Sequence, residues 1–128
     1  MREKFFRFKD IADRMEEKWK KNGTIDDGDF MLLFTAVSNM GQIVITLMGA
    51  EKEDRGRIPP RAVVEEQAQK CDFIDMSVWN EFFMLRNQVA HSRPAFIMEI
   101  VISLLQKVVP EFEKEFELLI GMDKQNCS

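Results

Sequence analysis

The segment from Phe30 to Met48, FMLLFTAVSNMGQIVITLM, carries no charged residue and is apolar around more of its circumference than a surface helix allows. Phe30, Leu33, Phe34, Val37, Met40, Gly41, Val44, Leu47 and Met48 recur at helical spacing over about 30–48. A helix with so broad an apolar face belongs at the centre of a bundle, touching several neighbours at once. Gly41 lowers helix propensity by roughly 1 kcal/mol relative to Ala, so its presence there points to a close backbone approach or simple tight packing. Ahead of this helix, TIDDGD reads as a loop with acidic caps, and Asp29 is placed to satisfy the free N–H groups of the first turn.

The rest of the chain supplies the neighbours. Phe5, Phe8, Ile11 or Ala12, Met15 and Trp19 form one face of a helix over about 3–21, ended by Asn22-Gly23. Pro60 opens a short helix over about 61–70 with Val63, Val64, Gln67 and Ala68 on its modest face. Asp75 or Ser77 caps the next, whose apolar side is Val78, Trp79, Phe82, Phe83, Leu85 and Val89, and which ends near His91 to Arg93 because Pro94 disfavours the helical region in the residue before it. Pro94 then begins a long last helix with Phe96, Ile97, Ile100, Val101, Leu104 and Leu105 buried. Pro110 kinks or divides that helix before Phe112, Phe116, Leu119 and Ile120. No sheet and no repeat is signalled, and the expected fold is an all-α bundle of four principal helices plus a short one.

A length of 128 residues suits a single domain, 1–128, with 122–128 expected to be a flexible tail. The formal net charge of −4 argues against a protein that coats duplex DNA, while leaving room for a local basic site. Cys71 and Cys127 have no zinc-ligand neighbours, and a chain of this size needs no disulfide staple; reduced thiols and a cytoplasmic setting are expected, with no membrane insertion. The acidic pairs Glu16-Glu17, Asp26-Asp27 and Glu65-Glu66 lack partners at ligand spacing and read as solvated charge, so no metal or other cofactor is expected. No glycine-rich phosphate loop is present in the sequence. Arg55 and Arg57 in the loop GAEKEDRGRIPP could reach a polyanion, although a solvated loop is the plainer reading. Trp79 and Phe83 could stack bases, but core packing accounts for them better.

Chemistry concentrates in LRNQVAHSRP, Leu85 to Pro94, which holds the chain's one histidine. Asn87 and His91 are four apart and share a helix face, whereas Arg86 lies about 140° from His91 around the axis. An imidazole with a reference pKa near 6.5 exchanges protons at neutral pH, and a guanidinium can hold a phosphate through two parallel hydrogen bonds. That combination suits metal-free RNA cleavage, in which the 2′-hydroxyl is deprotonated and attacks the adjacent phosphorus. Such a reaction needs both a base and an acid, and an isologous dimer abutting at this helix end would supply two histidines. A solvated or capping histidine is the plainer alternative.

The stretch Leu85-Arg86-Asn87-Gln88-Val89-Ala90-His91 resembles the signature of the HEPN superfamily: an arginine, four to six residues, then a histidine, commonly with a polar residue directly after the arginine. The resemblance implies a helical bundle that dimerises through the motif and, in active members, a metal-independent endoribonuclease cleaving single-stranded RNA, often within toxin–antitoxin or phage-defence systems. It casts His91 as the proton-transfer group, Arg86 as the phosphate-holding group and Asn87 as an orienting or RNA-contacting residue. Other members are non-catalytic protein-interaction or regulatory modules. The toxin branch paired with nucleotidyltransferase-like antitoxins often has a tyrosine two residues after the histidine. Here that position is Arg93, which is suited to a further phosphate contact, and the chain has no Tyr.

Overall fold

In the computed structural model, the described residues are 2–50, 59–91 and 97–121, without the side chains of Ala50 and His91. Helices α1 (Arg2–Asn22), α2 (Asp27–Ile45), α3 (Pro60–Lys70), α4 (Met76–His91), α5 (Ile97–Ser103) and α6 (Val109–Gly121) follow in order. A π-helical turn, Leu104–Val108, joins α5 to α6 without a break, and another, at Thr46–Ala50, prolongs α2 until Gly49 leaves helical backbone at φ 103°. Counting α5 and α6 as one, this is an all-helical bundle of five substantial helices with no strand among the described residues. The expected short helix, α3, runs 11 residues, long enough for about three turns. The 51–58 loop with Arg55 and Arg57, the Pro94 and Phe96 helix start, and the 122–128 tail lie outside the described residues.

Helix α2 occupies the centre, in contact with α1, α3, α6 and the second π-turn. Leu33, Val37, Met40 and Val44 are sealed from solvent. By length and composition the segment Asp27–Gly49 could cross a membrane, with a mean hydropathy of 1.7, but its core face is here covered by protein. The start of α2 corrects the expected cap. Asp26, in extended backbone, accepts from the Asp29 N–H at 2.7 Å, and the helix begins three residues earlier than its apolar pattern. Asp29 lies inside the first turn and pairs instead with Lys18 Nζ at 3.1 Å. At Gly41 a Cβ atom would stand 3.1 Å from ring atoms of both Phe82 and Phe112, so the close approach is to side chains of α4 and α6 rather than to backbone.

Those rings belong to an aromatic core. Phe82 meets Phe112 edge-on at 5.0 Å, Trp79 lies 4.6 Å from Phe112, and Phe5 stacks on Phe116 at 4.3 Å, geometries that add to simple area burial. Trp79 is fully buried and Phe83 half-buried, in keeping with core packing rather than base stacking.

The last helix continues through Pro110 without dividing there, and the adjustment falls on the turn before it. The Val109 N–H bonds to Leu104 O, five residues back, and the ladder widens to i→i+5 just before the proline. This wider turn accommodates a residue with no N–H to donate and a ring that crowds the preceding turn. At the end of α3, Cys71 is buried and disulfide-bonded; Cys127 lies outside the described residues. This differs from the expected reduced thiols.

Candidate functional site

Asp75 organises the start of α4, its Oδ1 accepting from the Ser77 N–H at 3.0 Å and the Ser77 hydroxyl at 2.6 Å. These bonds favour the charged form and hold the Asp75 carboxyl below its usual range. From there α4 runs 16 residues with Trp79, Phe82 and Leu85 buried. Its outward stripe is Ser77, Asn80, Met84 and Asn87, all exposed, and His91 continues that stripe at the last helical position. Met84, 50% exposed, is the one apolar member.

Arg86 is exposed on the final turns, with its guanidinium 5.7 Å from the centre of the Phe82 ring one turn back. The aromatic face attracts a cation and holds the side chain along the helix. Position 86 therefore follows the flank nearer the core, while positions 87 and 91 follow the outward stripe. Arg86 and Asn87 are both open to solvent at the same helix end, but a single helix separates positions 86 and 91 by about 140°. The His91 side chain and the whole of Arg93 lie outside the described residues.

Nearby, Arg61 of α3 hydrogen-bonds to Asn80 Oδ1 and sits 5.1 Å from the Phe83 ring centre, and Lys107 reaches Glu81 at 3.4 Å. Arg61 thus adds a second guanidinium beside the outward stripe. Among the described residues, no group of three metal-ligating side chains gathers at one place.

A different polar cluster escaped sequence reasoning. Glu115, 0% exposed, accepts from the Trp79 indole N–H at 2.9 and 3.0 Å. It also shares a side-chain hydrogen bond with Glu111, which between two carboxyls requires a proton. Burial, followed by that contact, pushes the Glu115 carboxyl up to about 10, so it is neutral at physiological pH. Glu111 is stabilised by Lys114 at 2.8 Å and by the Asp75 N–H at 3.2 Å. The signal was present in the sequence: positions 111 and 115 fall among Val108, Phe112 and Phe116 on the apolar face, and a buried Trp79 needs an acceptor. The cluster ties α6 to the start of α4, at the opposite end of that helix from Arg86 and His91, and it lines neither of the surface troughs.

Comparison with protein-family models, curated proteins and solved structures finds no match to this chain.

Proposed function

We propose that this chain is a HEPN-like homodimer that cleaves single-stranded RNA without a metal ion. The observation that carries the reading is the exposure of Arg86 and Asn87 on the final turns of α4, with His91 as its last helical residue. Because one helix sets positions 86 and 91 far apart in angle, a second copy packed on the outward stripe is the simplest way to complete a phosphate site. Two-fold packing brings both copies of the motif to one cleft.

In that cleft one His91 takes the proton from the 2′-hydroxyl, and the 2′-oxygen forms its bond to phosphorus. The bond from phosphorus to the 5′-oxygen breaks, and the other His91 returns a proton to the leaving oxygen. Arg86 neutralises the non-bridging oxygens, Asn87 orients the substrate, and Arg93 adds a phosphate contact. The products are a 2′,3′-cyclic phosphate and a 5′-hydroxyl. An antitoxin or another defence-system protein would be a natural partner.

The half-exposed Met84 favours a second reading, a non-catalytic HEPN-like dimer acting as an interaction or regulatory module, since an apolar anchor amid polar neighbours suits a protein contact. Incubation with mixed-sequence RNA in chelator separates the two. The enzyme leaves cyclic phosphate ends, and His91→Ala or Arg86→Ala lowers the rate by about 10²–10⁴-fold. Intact RNA with a stable dimer favours the module, and a permanent monomer in the presence of RNA defeats the composite site.

A further inference from the structure

A trough of about 640 Å³ runs between α1 and α2, on a face the motif does not use. The two helices are antiparallel: Lys18 near the end of α1 pairs with Asp29 at the start of α2, while Lys4 and Arg7 share the trough with Gln42 and Thr46. Its walls extend along α2 from Leu32 to Thr46, about 21 Å at the helical rise. The floor is Phe8, Ile11, Ala36 and Ile43, and Leu32 lies exposed at the far end. Lys4 and Arg7 occupy the other end, both exposed, with no carboxylate lining the trough and no ion-pair partner for either among the described residues.

We propose that this trough binds a soluble, single-chain amphiphile with an anionic head, of the class of a long-chain carboxylate. The head lies between Lys4 and Arg7, and the methylene chain follows the apolar floor toward Leu32. Both ends of such a ligand match what they meet: two cations with no acid partner among the described residues, then a wall without charge. The volume falls within the range of small-molecule sites. A nucleotide would satisfy the cations, but the one aromatic lining residue, Phe8, is 3% exposed and offers no open ring to a base. The site is independent of the RNA-cleavage reading, since none of its residues belongs to α4.

Calorimetric titration of the full chain with sodium dodecanoate, kept below the concentration at which it forms micelles, tests this. The expected result is saturable binding of one molecule per chain, weakened about tenfold on shortening to decanoate, in line with the free energy of burying two methylenes. The double variant Lys4→Gln/Arg7→Gln changes exposed residues only and should weaken dodecanoate at least tenfold. Ala36→Phe, which fills the floor, should do the same in a protein whose circular dichroism is unchanged. The proposal is overturned if dodecyltrimethylammonium binds as well as dodecanoate, if the charge-removed variant binds undiminished, or if no saturable heat appears. Association only with phosphatidylglycerol vesicles would overturn it too, assigning the face to a lipid surface.

Discussion

Replacing Glu115 with Gln tests the buried acid directly. In the folded chain its carboxyl is raised to about 10, whereas the unfolded chain presents an ordinary glutamate with a pKa near 4.5. Between those values the folded state holds one proton that the unfolded state has released, so stability must fall as pH rises. The contribution is fully present below about 4.5 and is lost progressively up to the folded value. Each pH unit in that window is worth about 1.4 kcal/mol, so reaching pH 7 removes about 3 kcal/mol. A glutamine side chain at this position cannot titrate, yet its carbonyl can accept from Trp79 Nε1 and its amide can donate to Glu111, preserving both contacts. Glu115→Gln should therefore match the wild type near pH 4.5 and exceed it by about 3 kcal/mol at pH 7. Urea denaturation in steps from pH 4.5 to 9, followed by Trp fluorescence, reads the difference. Parallel pH profiles for the two proteins would refute a neutral buried Glu115, as would a variant that is less stable at every pH.

Asp26→Ala should cost about 1 kcal/mol through loss of the α2 cap, and Asp29→Ala less, because its partner Lys18 is half in solvent; thermal melts of the two variants rank them. Gly41→Ala gains up to about 1 kcal/mol of helix propensity but forces a methyl against the Phe82 and Phe112 rings. Overpacking of about 1–3 kcal/mol should win, lowering the melting temperature. Arg86→Lys keeps the charge but loses the planar fork, so under the proposed function it should lower RNA cleavage at least tenfold while sedimentation still reports the proposed dimer.

Most of the helical order was legible because each helix has a periodic apolar face bounded by a proline, a glycine or an acidic cap. The start of α2 was misplaced because Phe30 opens the apolar pattern, whereas the backbone N–H groups need their acceptor earlier, at Asp26. The turn ahead of Pro110 was not legible as a π-turn, since widening the ladder leaves no mark in hydrophobic spacing that a kink would not also leave. At the candidate site, the exposure of Arg86 and Asn87 followed from their place at the margin of the α4 stripe. Missed altogether was the pairing of Glu111 with Glu115. Charged residues are ordinarily assigned to solvent, and although positions 111 and 115 fall on the apolar face, it is the burial of Glu115 against Glu111 that makes one of the two an uncharged donor.

The widened turn at Leu104–Val108 has a consequence for how this chain tolerates length changes. An extra residue in a helical ladder rotates everything downstream by about 100°, so the stripes of α5 and α6 are written out of step and meet in phase only because of it. Deleting one residue from that turn would restore a regular ladder and leave the phase of α6 against α5 unchanged, so the fold should survive it. A further residue inserted there would exceed that slack and turn the buried Phe112 and Phe116 by about 100° away from Ile100 and Val101, a change that leaves hydropathy intact but unseats part of the aromatic core.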